Sequence, residues 1–382
     1  MKILINMAPL KKGGGQNVGL NFLVGLGKLQ FEHELIFVVA ENSLLHEEMT
    51  RLNHYQFIVA PRNPLLRIMW EFFILTWKIL FLKIDIIYSY FGYSFVLSRS
   101  PQVSGSADSN LYFPEVDFWC DYSWARKLLK KLVDKYRILI LRLATAVVFE
   151  NYSMLHRGKK LFALKNVEYI KPSVAELPTG CSQKNHLTIK SSASFKVLVL
   201  CGWQLNKNIM MIPCIAAALK ERGHHIGFVV TAPLDESPEH HLFQRLIEEN
   251  DVSNQIVLLG SVGKIDLPAL YEQSDAVLLL SRLESFSNNI IEAWHYERPL
   301  IISDREWARS ICFAGAVYVD RNDSDKVAEA IIDLKYDAVK YAKIVSAGKE
   351  TLASYPTVVE RTKLEIQYLE RVYDERISGS FI

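Results

Sequence analysis

The chain has 382 residues, of which 50% are hydrophobic and 23% are charged. This composition is typical of a globular protein and excludes a largely disordered chain. The length exceeds that of one ordinary domain and suits two domains of a little under 200 residues each.

The net charge of +2 hides an asymmetry between the two halves. Residues 1–178 hold 22 basic and 15 acidic side chains, a net charge of +7, and the rest of the chain holds 22 and 27, a net charge of −5. We therefore expect an anionic surface, such as acidic lipid, to meet the amino-terminal half.

The five cysteines are odd in number, widely separated and without a CxxC pair or a nearby His at metal-ligand spacing. They predict reduced thiols and no metal site. The first residues, MKILINM, resemble a buried strand more than a secretory signal. We therefore expect a cytoplasmic protein. The cysteines are Cys120, Cys181, Cys201, Cys214 and Cys312.

Short apolar runs rich in β-branched residues alternate with longer segments of helical spacing along the first half. This alternation predicts βαβ units and parallel sheets. The predicted strands are residues 2–7, 34–39, 56–59, 85–89, 102–106 and 146–149.

The second half repeats the same rhythm after a polar, turn-rich segment, residues 177–194, which predicts an interdomain linker. We expect two doubly wound Rossmann-like α/β domains facing across a cleft, at 1–178 and 195–354. The last helical pattern, 355–374, has no strand after it and can pack back on the first domain. The predicted strands are residues 195–201, 226–231, 255–259, 276–280, 299–303 and 316–319.

A glycine-rich segment, KKGGGQNVG, follows the first predicted strand. Gly13, Gly14 and Gly15 would let the backbone approach a ligand, and Gln16 opens the next helical pattern. The segment does not fit GxGxxG, and no acidic residue ends the second strand, which argues against a dinucleotide-dependent dehydrogenase.

The strand at 276–280 runs into the segment that carries most chemical information, SRLESFSNNIIEAWHYERP. A helix predicted to begin near Ser287 would direct its first N–H groups and the positive end of its dipole at the crevice, where a pyrophosphate would bind. Glu284 would lie in the loop before it and Glu292 more than one turn into it, as acceptors for sugar hydroxyls. A capped surface helix with a solvated glutamate is an equally good interpretation of these residues alone.

The segment ESFSNNIIE resembles the E-x7-E signature of retaining glycosyltransferases of the GT-B fold, family 4 (glycosyl transferases group 1). The preceding QIVLLGSVGKIDLPALYEQSDAVLLLSRLESF is similar to the same family, and the resemblance is strong over 195–330 and weak before residue 144. It implies that Glu284 contacts the transferred sugar and Glu292 the ribose hydroxyls. The phosphates would meet the amides of Phe286, Ser287, Asn288 and Asn289, and Ser285 is a further donor-binding candidate.

The turn CGWQLNKNI after the strand at 195–201 matches the same family. Gly202 permits a tight turn, and the resemblance implies that Lys207 contacts the donor diphosphate. Trp203 stands where the family often has an arginine. In the first half, the resemblance places Gly14 and Gly15 between acceptor and donor.

A family histidine near the transferred sugar is missing from the first half, where the chain has SGSADSNLYFPE. Either Asp108 takes part of that catalytic role, or it is an ordinary turn residue, which the local sequence favours. Glu150 and Asn151 follow the strand at 146–149, where the family often has a polar residue near the donor.

Two helical patterns of the first half suggest a membrane surface. Residues 65–83 are nearly as long as a membrane span but contain four charges, which indicates a buried or interfacial helix. Residues 126–142 form a basic helix with an apolar side, which would suit anionic lipid or simply cover a core. No nucleic-acid-binding signature accompanies these charges.

These observations predict a retaining glycosyltransferase (EC 2.4) that uses a nucleotide-diphosphate sugar as co-substrate, without metal or other cofactor. The acceptor would be a glycan or lipid-linked molecule in bacterial surface polysaccharide or lipopolysaccharide synthesis, and the protein would be cytoplasmic and peripheral to the inner membrane face. Two alternatives are a catalytically silent GT-B subunit that binds a nucleotide sugar or a partner, and a nucleotide-sugar epimerase.

Overall fold

The computed structural model describes residues 1–11, 14–92, 97–174 and 188–379. The chain divides into two compact units. The first comprises Met1–Ala175 and Pro356–Ile382, and the second is Glu176–Tyr355. Most of the segment interpreted as a linker, residues 177–187, lies outside the described residues, as do Gly13 and Cys181.

The first unit is built on a seven-stranded parallel sheet in the order β3-β2-β1-β4-β5-β6-β7. The interior strands are almost fully buried, because helices cover both faces of such a sheet. The strands are β1 (Lys2–Asn6), β2 (Glu34–Ala40), β3 (Gln56–Ala60), β4 (Ile86–Ser89), β5 (Gln102–Ser106), β6 (Ala146–Phe149) and β7 (Val167–Tyr169).

The helices of the first unit lie between these strands. They are α1 (Gly14–Gly27), α2 (Leu44–Leu52), α3 (Pro64–Trp70), α4 (Thr76–Leu82), α5 (Trp124–Leu143) and α6 (Tyr152–Phe162). A π-helical turn, Glu71–Leu75, joins α3 to α4, so residues 64–82 form one continuous helical segment.

The second unit contains a six-stranded parallel sheet in the order β10-β9-β8-β11-β12-β13. Its strands are β8 (Lys196–Val199), β9 (Gly227–Val230), β10 (Ile256–Leu258), β11 (Ala276–Leu279), β12 (Leu300–Ser303) and β13 (Val317–Val319). Its helices are α7 (Ile212–Glu221), α8 (Pro238–Glu249), α9 (Leu267–Glu272), α10 (Asn288–His295), α11 (Glu306–Cys312), α12 (Ser324–Tyr336) and α13 (Ala338–Ala353).

The prediction of two doubly wound α/β units is confirmed, and each predicted strand is present within a residue or two of its expected ends. The strand that the sequence analysis missed is β7, three half-buried residues at the edge of the first sheet. In each sheet the strand order reverses beside the first strand, at β1/β4 and at β8/β11. Ligands of open α/β sheets bind at such switch points, beyond the carboxyl ends of the strands.

The chain returns to the first unit in its last helix, α14 (Val358–Ile377). This helix packs closely on α1: a Cβ placed at Gly25 would lie 2.2 Å from Thr362 Oγ1. A capping box begins α14, with Thr357 and Glu360 bonding each other's backbone amides. The carboxy-terminal segment is therefore part of the first unit's core.

A buried group of charges fastens α14 to the sheet. Arg361 lies 2.6 Å from Glu150 at the end of β6 and 3.2 Å from Glu365 on its own helix. Tyr90 donates its hydroxyl proton to both oxygens of Glu365 at 3.1 Å. Burial raises the pKa of both carboxyl groups, and Arg361 opposes that rise. We call Glu150, Arg361, Glu365 and Tyr90 the buried charge cluster.

Candidate functional site

Two loops of the second unit meet because their strands are neighbours. β8 and β11 pair in parallel, with Val197 opposite Ala276 and Leu198 opposite Val277. Both strands therefore end at the same edge of the sheet. The loop after β8 leads through a 3₁₀ turn, Leu205–Lys207, and the loop after β11 leads to α10. The switch-point edge thus presents residues from 200–208 and 280–289.

Lys207 and Glu284 form an ion pair across these loops. Lys207 Nζ lies 2.6 Å from Glu284 Oε1, and the two side chains are 19% and 15% exposed. Neither charge is sealed in the core, so an incoming ligand could reach both. The two candidate residues therefore come together, although 77 positions separate them in the sequence.

Asn206 holds the two loops in register. Its side-chain amide donates to Leu283 O at 2.8 Å, and its Oδ1 accepts from Leu283 N at 3.1 Å. Its own carbonyl accepts from Arg282 N at 2.8 Å. These three bonds fix the residues directly beside Lys207 and Glu284. Sequence reasoning missed Asn206, because nothing in LNKN distinguishes its side chain from that of an exposed loop residue.

The residue after Lys207 turns the chain sharply. Asn208 has a φ of 57°, a left-handed conformation that asparagine tolerates better than most residues. Its side-chain amide donates to Arg321 O at 2.7 Å, and Arg321 Nε donates to Leu280 O at 3.0 Å. The buried Arg321 side chain therefore connects the turn to the end of the β11 segment.

Helix α10 begins at the same edge. Ser287 is its N-cap residue, but the serine side chain makes no capping hydrogen bond. The first N–H groups of an α-helix have no partner within the helix, so this start leaves donors and the positive dipole end for an anion. Asn289 is tied inward, because its side-chain amide donates to Leu200 O at 2.6 Å.

Glu292 faces a tyrosine. Tyr271 on α9 donates its hydroxyl proton to Glu292 Oε2 at 3.0 Å. Burial raises the pKa of Glu292, and the Tyr271 hydrogen bond and the charge of Lys264 oppose that rise. The ring of Tyr271 stacks on Tyr296 with centroids 4.7 Å apart. Glu292 is thus a positioned acceptor with an elevated proton affinity.

Residues 197–351, which include both loops and both glutamates, match the family model described as glycosyl transferases group 1. The second unit is a group 1 glycosyltransferase domain. No curated protein matches the sequence.

The whole chain resembles solved structures despite low identity. Anabaena HepE in complex with UDP and glucose is 15% identical at a TM-score of 0.71, covering 97% of this chain and 99% of that one. Sucrose-phosphate synthase from Thermosynechococcus elongatus is 13% identical at a TM-score of 0.73, covering 98% and 99%. A Rickettsia africae glycosyltransferase is 15% identical at 0.70, covering 97% and 98%. These similarities establish the GT-B fold.

The other candidate residues of the second unit lie in the loop after β8 and in the loop before α10. Gly202 precedes the Lys207 turn, and its N–H donates to Gln204 Oε1 at 3.2 Å. Trp203 packs into the domain, where it stacks on His240 and donates to Pro233 O at 2.8 Å. Trp203 therefore fills part of the core and supplies no cation. The rings of Phe286 and Tyr355 have their centroids 6.0 Å apart. Ser285 lies between Glu284 and Phe286 in the loop before α10.

In the first unit, α1 begins at Gly14. A Cβ added at Gly14 would meet open space, whereas one added at Gly15 would lie close to the Leu10 side chain. The helix therefore begins at Gly14 rather than at Gln16, which is buried inside it. Asp108 lies 3.3 Å from Arg137 of α5 and precedes a 3₁₀ turn, Ser109–Leu111.

The described residues hold neither a metal-binding cluster nor a membrane-spanning helix. No group of three or more His, Cys, Asp or Glu side chains there is arranged to hold a metal ion. None of the described helices is both long and apolar enough to cross a membrane.

Proposed function

We propose that this glycosyltransferase moves a sugar from a nucleoside-diphosphate donor to a glycan or lipid-linked acceptor, with retention of the anomeric configuration. The observation that carries the proposal is the Lys207–Glu284 ion pair beside the uncapped start of α10. A cation, free amides and a carboxylate at one switch point match the charges and hydroxyls of a sugar diphosphate.

Donor binding would break the ion pair between Lys207 and Glu284. The diphosphate brings negative charge to Lys207 Nζ and to the first amides of α10, which include Ser287, Asn288 and Asn289. Glu284 would then be released to accept hydrogen bonds from the sugar hydroxyls. Because Asn206 clasps both loops, the two groups stay in place while they exchange partners.

Glu292 would accept hydrogen bonds from the ribose. One of its oxygens already accepts from Tyr271, so the carboxylate is oriented before the ligand arrives. Binding to a carboxylate whose position is fixed loses less side-chain entropy than binding to a mobile one.

No divalent metal is needed in this proposal. Lys207 and the helix start neutralise the charge that develops on the leaving diphosphate, and such preorganised electrostatic groups are the main means of stabilising that charge. Retention follows from the resemblance of ESFSNNIIE to retaining enzymes. UDP-hexoses are the first donors to test, because HepE is described in complex with UDP-glucose.

Synthesis of a bacterial surface polysaccharide or lipopolysaccharide at the inner face of the membrane suits this chemistry. The first unit, to which we assign the acceptor, holds 26 basic and 19 acidic side chains, a net charge of +7. Such a surface would favour acceptors attached to anionic lipid. Asp108, Gly14 and Gly15 are the candidates for acceptor contacts in that unit.

The test is turnover of a panel of nucleotide sugars with and without glycan and lipid-linked acceptors. Donors are first chosen by thermal shift, since a ligand that binds only the folded state raises the melting temperature. Glu284→Ala should lower acceptor-dependent turnover by about 100-fold or more. Glu297→Ala, an exposed glutamate paired with Lys349, is the matched control and should leave it unchanged.

Three results would contradict the proposal. A parent protein that binds a donor without any turnover would be a silent binding subunit. Conversion of the donor in the absence of acceptor would indicate an epimerase. Equal activities of Glu284→Ala and the parent would remove Glu284 from the site.

A further inference from the structure

The helical segment 64–82 turns an apolar side to solvent. Glu71, Leu75 and Ile79 are buried on its inner side. The outer side carries large apolar residues at spacings of mostly three or four positions, each at least 58% exposed: Leu66, Met69, Phe73, Trp77, Leu80 and Phe81. We call these six residues the apolar stripe. Monomeric soluble proteins rarely expose such a continuous apolar patch without a partner for it.

A basic cavity lies at the end of the stripe. It has a volume of about 530 Å³, and Leu80 of the stripe forms part of its wall. Lys83 and Arg99 line it together with Ser98 and Ser100. Within the described part of the chain neither cation forms an ion pair. The cavity therefore combines an apolar wall with two positive charges that no acid among the described residues neutralises.

Helix α5 adds more positive charge next to the stripe's helix. Tyr136 and Arg137 of α5 lie within electrostatic range of Glu71 and Arg67 on the stripe's helix, so the two helices approach each other there. Lys131 and Lys135 are exposed on α5 and form no ion pair with another described residue. Exposed leucines, among them Leu132, alternate with these lysines.

The charges select among the partners that could cover the stripe. A second copy of this unit would bring another net charge of +7 towards the first, which is unfavourable. A membrane span is excluded for this segment by the charges of Arg67, Glu71 and Lys78 and by its buried inner side. An anionic bilayer offers apolar chains to the stripe and phosphates to the cations.

We propose that the apolar stripe lies in the interface of an anionic lipid bilayer, with a lipid phosphate held by Lys83 and Arg99. Trp77 and Phe81, stacked 5.5 Å apart, supply the aromatic contacts at headgroup depth. The benefit of docking rests on the proposed transfer to a lipid-linked acceptor, but the docking itself requires no transfer.

The experiment is co-sedimentation of the full-length protein with two kinds of vesicle. One is phosphatidylcholine alone, and the other also contains about 30% phosphatidylglycerol, which gives the surface a negative charge. The parent should bind the anionic vesicles at least about tenfold more tightly. Phe73→Ser/Trp77→Ser should lower that binding by about tenfold or more, because apolar contacts are lost. Lys83→Ala/Arg99→Ala should lower it by about tenfold and remove the preference for anionic lipid.

Matched controls separate docking from general surface effects. Leu364→Ser and Lys363→Ala change exposed residues of α14 in the same unit and should bind as the parent does. Glu284→Ala should also bind as the parent does, so failure of the proposed activity would be distinguished from failure of docking. Melting temperatures confirm that each variant is folded.

Several results would overturn the proposal. One is equal binding to both kinds of vesicle. Another is binding that neither double variant lowers. A third is concentration-dependent self-association that Phe73→Ser/Trp77→Ser abolishes, with no vesicle binding by the parent, since the stripe would then join two copies of the chain.

Discussion

Each unit of the chain contains a cationic side chain paired with carboxylate. The two sites differ in how deeply the charges are buried and in how many of the described residues pair with the cation. In the buried charge cluster, Arg361 is enclosed between two carboxylates and a tyrosine with almost no exposure. At the switch point of the second unit, Lys207 pairs with Glu284 and both side chains remain partly exposed. The enclosed site can only hold the fold together, whereas the half-open site can exchange partners.

The comparison also shows why an ion pair alone does not identify a functional site. Glu150 and Glu365 have raised pKa values because they are buried, which is a frequent sign of a catalytic group. Here their bonds go to Arg361, Tyr90 and Tyr88, all of which are buried in the same unit. The switch-point pair lies instead beside the start of α10, where donors for a ligand remain available.

The largest expected effect concerns the buried charge cluster. Arg361→Leu should lower the free energy of unfolding by about 4 kcal/mol, because it leaves two buried carboxylates without their cation. Arg371→Leu removes an exposed arginine of the same helix that pairs with Glu168, and should cost about 1 kcal/mol or less. Urea unfolding followed by circular dichroism measures both. Equal losses would mean that the buried cluster does not hold α14 in place.

A smaller effect is expected at Asn206, whose hydrogen bonds join the two loops. Asn206→Ala should lower turnover by about tenfold while the melting temperature changes little, because the loops then hold Lys207 and Glu284 less firmly. Asn254→Ala, an exposed asparagine of the same unit, is the control. Steady-state kinetics with a fixed donor would measure the loss. If Asn206→Ala lowers stability but leaves turnover intact, the Asn206 hydrogen bonds stabilise the fold and do not position the site.

The smallest effect concerns pH. Burial raises the pKa of Glu292, and the ionised carboxylate is the better acceptor for ribose hydroxyls. Donor affinity should therefore fall severalfold as the pH is lowered through that raised pKa. Glu292→Gln cannot titrate and should bind more weakly at neutral pH, with a flatter dependence. Calorimetric titration of the donor at a series of pH values from neutral into the acidic range tests this. An unchanged pH dependence in Glu292→Gln would exclude Glu292 as its origin.

Much of the fold was predictable from the sequence, because buried parallel strands appear as short β-branched runs such as LIIS and AVLL. β7 was not, since VEY is short, lies at a sheet edge and contains a glutamate. The interdomain segment 177–187 was predicted but lies outside the described residues, so its conformation stays a prediction.

The site was only partly predictable. Glu284, Glu292 and Lys207 were identified as separate motifs, but the ion pair depends on two loops that only the sheet order brings together. Asn206 gave no signal, because its role depends on backbone atoms 77 positions away. Arg361 and Glu365 have the i,i+4 spacing of a solvated helical pair, and sequence spacing cannot show that tertiary packing buries them.

The most direct measurement is a crystal structure of the parent protein with a nucleoside-diphosphate sugar that it turns over. We predict the diphosphate within hydrogen-bond distance of Lys207 Nζ and of the first amides of α10, with Glu284 on the sugar and Glu292 on the ribose. A donor bound elsewhere, with the Lys207–Glu284 ion pair intact and Glu292 still bonded only to Tyr271, would contradict the assignment of this edge as the donor site.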